Sequence, residues 1–304
     1  MPIFTNTNGR LSKIKEEPFD LEKDIQKLTE DNLQLLFNLQ IVRAQFELND
    51  LKIDTLAYDI ESKSFVIIEY KKDKNFSVID QGFAYLALML NNKADFVLEY
   101  NERFNGSLKK ENIDWSQSKI IFISPSFTNY QQKAIHFKDL PIELWEIKKF
   151  ENKIILYNQL KSPEKSESIN TISKKSEVVK KVSREVKVYT EDDHTIDASE
   201  NLKVIYQKLK ENVLNLGDDI EIVPRKDYIA FKRKSNFVDV EFQKSKIKVF
   251  INLGKGQLDD SKKIARDVSN IGHWGNGDYE IPLSSSEQIN YLMTLIKQSY
   301  DKNA

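Results

Sequence analysis

The run FVIIEYKK at residues 65–72 constrains this chain more than any other stretch. Phe65, Val66, Ile67 and Ile68 are apolar without interruption, which predicts a strand covered on both faces. The run then stops in Glu69-Tyr70-Lys71-Lys72, so charge arrives abruptly at the end of a buried strand. Glu69 and Lys71 are two apart and project from one face. Upstream, LKIDTLAYDI at residues 51–60 is a second strand-like run, and the short polar interval between the two predicts a hairpin.

Whether Asp54 joins Glu69 and Lys71 depends on that turn. With Ser62 and Lys63 as a two-residue turn, Asp54 lies opposite Lys71 and Leu56 opposite Glu69. Any even-length turn keeps Asp54 on their face, and an odd one removes it unless a bulge intervenes. In the two-residue register Asp54 and Glu69 are diagonal neighbours, ~7–8 Å apart at the backbone. Two carboxylates repel each other unless a cation sits between them. Hard oxygen ligands with few protein contacts suit Mg²⁺, with Mn²⁺ as a substitute, and the expected metal ligands are Asp54 and Glu69. Lys71 would orient an attacking water or neutralise developing charge. A solvated strand end with casual ion pairs has the same spacing.

The chain has 304 residues, a length that predicts two domains. Residues 161–188 carry a net charge of +4, are rich in Lys, Ser and Glu, and lack a sustained apolar period. They are expected to form a basic flexible linker between domains at 1–160 and 189–304. Lys174, Lys175, Lys180 and Lys181 fall there in two pairs, suited either to a plain tether or to a strap on phosphates. In the first domain a helix is expected over 20–39 with Asp20 as N-cap, then the hairpin, then a helix over 76–91. ADFVLEY and KIIFISPSF read as strands, a short helix follows at 129–137, and IELWEIKKF pairs with KIILYNQL. The second domain is expected to place helices at 199–215, 259–268 and 285–301 around an antiparallel sheet. There Lys244, Lys246 and Lys248 alternate with Ile247, Val249 and Ile251, which predicts one basic sheet face.

Asp54 followed fifteen residues later by Glu69-x-Lys71 at the end of an apolar strand resembles the signature of the PD-(D/E)XK nuclease superfamily. Ile53 stands where that signature has proline. Gln81 and Tyr85, one helical turn apart, are similar to the Gln-x-x-x-Tyr element of its RecB-like branch, and EKDIQ at 22–26 resembles the first-helix motif of archaeal and actinobacterial mismatch endonucleases. The resemblance covers roughly residues 20–100. It implies a restriction-endonuclease-like mixed α/β sheet flanked by helices, and the second, smaller domain is expected to be α+β. It also implies Mg²⁺-dependent hydrolysis of phosphodiester bonds in DNA, in defence or repair. Apart from the resemblance, a homodimer is the candidate assembly. A first-helix glutamate belongs to the implied site. Glu22 and Gln26 fall beside the apolar stripe, and Glu22 is the choice; Glu30 falls nearly opposite the stripe and is expected to be solvated, a substitute for Glu22 only if the helix breaks near Thr29. Gln81 would hydrogen-bond the site, and Tyr85 and Lys72 would approach DNA. The segment HWGNGDYEIPLSSSEQINYLMTLIKQSY resembles an uncharacterised C-terminal domain of bacterial proteins labelled predicted transport proteins.

Other chemistries find little support. The chain has no cysteine, which excludes disulfides, thiol catalysis and Cys-ligated metals. His136, His194 and His273 are too scattered for a zinc site, and Leu253-Gly254-Lys255-Gly256 lacks P-loop spacing. The first twenty residues hold no apolar stretch of secretory type, and no run reaches membrane-spanning length, so a soluble cytoplasmic protein is expected. Two other readings stay open: a nucleic-acid-binding module on a nuclease fold that does not cut, and a protein-interaction scaffold.

Overall fold

The computed structural model describes residues 2–49, 51–72, 77–137, 139–163, 166, 176–273 and 275–303. Lys174, Lys175 and Trp274 lie outside the described residues. The chain divides into two compact units, Met1–Val188 and Tyr189–Ala304.

The first unit opens with a hairpin of β1 (Phe4–Thr7) and β2 (Arg10–Lys13), followed by β3 (Glu16–Glu17), α1 (Glu22–Glu30) and α2 (Leu33–Phe37). Three strands come next, β4 (Gln40–Leu48), β5 (Leu51–Asp59) and β6 (Ser64–Tyr70). Helices α3 (Val78–Asn91) and α4 (Lys93–Phe104) lead to β7 (Lys119–Ser124), α5 (Asn129–Ala134), β8 (Ile142–Phe150) and β9 (Ile154–Leu160). Helix α6 (Glu177–Glu185) closes the unit. The sheet order is β3-β8-β7-β6-β5-β4, with β9 also on β8; β6, β7 and β8 run parallel and the other pairs antiparallel. This is the mixed, helix-flanked sheet expected from the sequence.

Strand β6 is buried along its whole length, as its unbroken apolar run requires. Phe65 and Ile67 join Val78, Phe83, Leu86 and Met89 of α3 in one core, while Val66, Ile68 and Tyr70 join Ile25 of α1 in another. The two helices therefore cover opposite faces. Gly82 lets α3 come this close, since a Cβ there would meet Ile142 Cδ1 at 2.5 Å.

Several expected elements are corrected. The helix foreseen at 20–39 splits after Glu30, and its first-turn partner is Asp24, whose carboxylate accepts from the Leu21 N–H. Residues 94–100, expected as a strand, belong to α4; Phe96 and Tyr100 sit four apart and pack on Phe65 as helix neighbours do. Strand β4 was not foreseen. Residues 176–188 are no tether: the apolar side of α6 lies against α3, with Val182 fully buried and Val186 nearly so. Lys181 donates to Asn91 at 2.6 Å, and Lys180 lies 3.8 Å from Glu177.

The second unit contains α7 (Glu191–Thr195), α8 (Glu200–Leu214), β10 (Glu221–Pro224), β11 (Ile229–Lys232), β12 (Asn236–Phe242), β13 (Ile247–Ile251), β14 (Arg266–Asp267), β15 (Tyr279–Leu283) and α9 (Ile289–Lys302). Its sheet is antiparallel, ordered β10-β11-β12-β13-β15-β14, and its core includes residues of α8 and α9. The helix expected at 259–268 is absent; turns and β14 occupy it. The expected basic face is also absent, because Lys248 lies between Glu241 and Glu280, 3.6 Å from each, and Lys244 and Lys246 precede the strand.

If residues 176–188 are integral to the first unit, Val182→Asp should destabilise the protein by about 2–4 kcal/mol, because it buries an unpaired carboxylate. Urea unfolding measures this, and a tether would tolerate the change.

Candidate active site

The β5–β6 turn sets the register of everything at this end of the sheet. Asp59 pairs with Ser64, so four residues make the turn, with Lys63 in the left-handed region at φ 51°. The Asp59 carboxylate holds it by accepting from the backbone N–H of Glu61 at 2.9 Å and of Ser62 at 3.2 Å. The turn is even, so Asp54, Glu69 and Lys71 do share a face. The two-residue turn is corrected to four, and the pairing moves with it. Continuing from Thr55↔Ile68, Asp54 comes level with Glu69 rather than with Lys71.

The backbone ladder stops there, and the two carboxylates take over its hydrogen bonds. Glu69 Oε1 accepts from the Asp54 backbone N–H at 3.1 Å, and Asp54 Oδ2 accepts from the Tyr70 N–H at 3.1 Å. Each acidic side chain thus satisfies a backbone donor whose rung has ended. Lys71 Nζ lies 3.2 Å from Glu69 Oε2, while its own N–H bonds the Ile123 carbonyl of β7 at 2.9 Å. Asp54, Glu69 and Lys71 are brought together.

Glu69 is 1% exposed. Burial pushes its carboxyl up to about 7, and repulsion from Asp54 adds to the rise against the opposing pull of Lys71. A carboxylate this dry beside a second acid favours either a proton or a cation. Gln81, one helical turn before Tyr85 on α3, has its Oε1 buried without a hydrogen-bond partner. Paired carboxylates are hard oxygen donors of the kind that suits a small divalent cation. Among the described residues no group of three or more His, Cys, Asp or Glu side chains gathers around one point.

The remaining sequence candidates are arranged differently from expectation. Glu22 accepts from the Lys72 backbone N–H at 2.8 Å, so it pins the segment after β6 instead of joining Asp54 and Glu69. The Lys72 ammonium turns to the Asp20 carbonyl. Tyr85, expected at DNA, is buried and donates to the Lys52 carbonyl at 2.9 Å; burial raises its hydroxyl far above the ordinary range. Glu30, expected in solvent, accepts from Gln26 at 2.9 Å and from the Thr55 hydroxyl. The reason is the early end of α1. Leu35 and Leu36 no longer belong to its stripe, so the buried side is centred on Ile25 and Thr29 and carries Gln26 and Glu30 along its border.

One participant had no signal in the sequence. Gln45 of β4 sits in the left-handed region at φ 52°, which costs a non-glycine residue on the order of 1 kcal/mol. Its amide reaches Gln26 Oε1 at 3.1 Å and Asp54 Oδ1 at 3.4 Å, and Gln26 in turn donates to the Asp54 carbonyl at 3.1 Å. Helix α1 thereby touches Asp54 from the edge of the sheet, though it covers the face opposite Glu69.

The raised carboxyl makes stability depend on pH. The folded chain holds the Glu69 proton up to about pH 7, whereas the unfolded chain releases it near 4.5. Between those values the unfolded state binds fewer protons, so stability falls as pH rises. Thermal unfolding across that window, without metal, should show this decline. Glu69→Gln should remove Glu69's share of it and raise the midpoint above pH 7; a lower midpoint for this variant there would mean a structural ion pair with Lys71.

A family model described as a domain of unknown function (DUF5655) matches residues 191–303. An uncharacterised protein of Haemophilus influenzae is 48% identical over 299 residues, covering 98% of this chain and 99% of that protein. The crystal structure of a repair endonuclease from Pyrococcus abyssi is 14% identical, covers 43% of this chain and 49% of that chain, and superposes with a TM-score of 0.26. No described helix is long and apolar enough to cross a membrane.

Proposed function

This chain belongs to one family with the uncharacterised Haemophilus influenzae protein, and we propose that it is a metal-dependent endonuclease that hydrolyses phosphodiester bonds in DNA. The observation that carries the reading is the buried Glu69 carboxylate, crowded by Asp54 and touched by Lys71 at the end of the β5–β6 ladder. An arrangement that leaves an acid this poorly solvated costs stability, and such costs gather where chemistry is done. The resemblance of Asp54…Glu69-x-Lys71 to the nuclease signature gives that chemistry its direction.

Asp54 and Glu69 would hold the cation, Mg²⁺ or Mn²⁺ in its place, and the buried, unpartnered Gln81 carbonyl oxygen would be a further candidate donor. When bound, such an ion lowers the pKa of a coordinated water and stabilises charge on a phosphate. The chain does the rest. Lys71, 21% exposed, offers a point charge with room to reach a phosphate oxygen or a water. Gln45 and Gln26 orient Asp54, and Glu22 fixes the backbone that carries Lys71 and Lys72. The second unit would recognise substrate or partner.

The test is cleavage of duplex, branched, mismatched and single-stranded DNA with Mg²⁺, with Mn²⁺ or with EDTA. The wild type should cut in either metal and be silent in EDTA. Glu69→Gln and Lys71→Ala should each lose at least ~100-fold in rate while remaining folded. Metal-independent cleavage, or full activity in either variant, would refute the assignment.

A further inference from the structure

The hairpin β1–β2 stands apart from the rest of the first unit in one respect: every residue of both strands is exposed. Phe4 is 47% exposed and Leu11 67%. A two-stranded hairpin with neither face covered is marginal in water, and ordinarily a chain packs it or discards it. Here its geometry is well specified. Phe4 pairs with Lys13 through to Thr7 with Arg10, and Asn8 and Gly9 both have positive φ, as the two-residue turn matched to strand twist requires. Asn6 Oδ1 accepts from the Gly9 N–H at 2.9 Å and closes the turn.

Its charge is one-sided. Residues 2–15 contain Arg10, Lys13 and Lys15 and no acidic side chain, although residues 1–160 together carry a net −3. Among the described residues neither Arg10 nor Lys13 lies within ion-pair distance of a carboxylate. The first acids, Glu16 and Glu17, pair with Lys148 at 3.2 Å and Lys149 at 3.1 Å. Pairing places Thr5, Thr7, Arg10 and Ser12 on one face of the ribbon and Phe4, Asn6, Leu11 and Lys13 on the other.

Its position is the second observation. Strand β9 occupies one edge of β8, so β3, which pairs with Lys149 and Phe150, shares the other edge with β7 and continues beyond its end. Because β6, β7 and β8 are parallel, that end is where Glu69 and Lys71 lie. Glu16, three residues along the chain from the hairpin's last residue Lys13, is thus about four residues, ~13 Å, past the level of Lys71 and one strand spacing, ~5 Å, to its side. One ~34 Å turn of duplex spans both.

We infer that this hairpin is a β-ribbon that seats duplex DNA beside the candidate active site, its polar face turned toward a groove with Arg10 on a phosphate there, and Lys13, at the root on the other face, reaching a flanking phosphate. A two-stranded ribbon fits the major groove, whose width is about 12 Å. The inference rests on the nuclease reading for its partner, and its test separates the two.

Duplex binding by the full chain is measured as a function of salt for the wild type and for Arg10→Gln/Lys13→Gln, alongside Mg²⁺-dependent cleavage of the same duplex. Loss of two phosphate contacts should lower the log–log salt slope by up to ~1.8, with the thermal midpoint unchanged. Cleavage by the variant should persist at low salt and fall away sooner as salt rises. A wild type that cuts while the double variant keeps the full salt slope overturns the ribbon and leaves the nuclease reading intact. A wild type that binds through the hairpin but never cuts sustains the ribbon and overturns the nuclease. Absence of duplex binding overturns both. A dimer that dissociates in Phe4→Ser/Leu11→Ser, with the salt slope of Arg10→Gln/Lys13→Gln unchanged, would assign the hairpin to a second copy of this chain and overturn its role on DNA.

Discussion

The exchange between Asp54 and Glu69 governs this end of the molecule. Two antiparallel strands part at the rung where they would pair, and each contributes an acid that receives a backbone N–H freed by the parting. Continued pairing would have closed the site with ordinary ladder bonds. Ending the ladder without such acceptors would have left buried donors unsatisfied, at a cost of about 1–3 kcal/mol each. The carboxylates solve the backbone problem and in doing so are drawn close enough to repel. The repulsion, together with burial, lifts the Glu69 carboxyl to about 7. Structure and chemistry share one origin: the same pair terminates the strands and creates the demand for a cation or a proton.

The surrounding elements can be read from that pair outward. Helix α3 is drawn onto the sheet at Gly82, which sets Tyr85 near Glu69. Helix α1 lies on the other face and reaches the site only around the edge, through Gln26 and the strained Gln45. Glu22 and the Lys72 backbone hold the segment following β6. Helix α6, on the chain beyond β9, completes the core against α3.

Sequence reading succeeded where a rule is insensitive to detail. The parity of the hairpin turn alone decides the face of Asp54, and parity survives an error of two residues in turn length. The register itself did not survive, because the turn is shaped by Asp59 capping Glu61 and Ser62, a contact that spacing does not reveal. Residues 94–100 are rich in strand formers yet fold as a helix, an override of propensity by packing on Phe65. The apolar spacing of Val179 and Val182 in α6, continued by Val186 just past its end, was present but hidden by the lysines. Gln45 acts through a backbone conformation that no residue type announces.

On the proposed function, Asp54 and Glu69 would together hold a divalent cation rather than form a strand-end ion cluster. Calorimetric titration of Mg²⁺ and Mn²⁺ into the full chain, compared with Asp54→Asn, tests it most directly. One divalent ion per wild-type chain and none in the variant is expected, with the Glu69 carboxyl drawn below about 7 when the ion is bound. A wild type that takes up no divalent ion, or a variant that binds as well as the wild type, would contradict it.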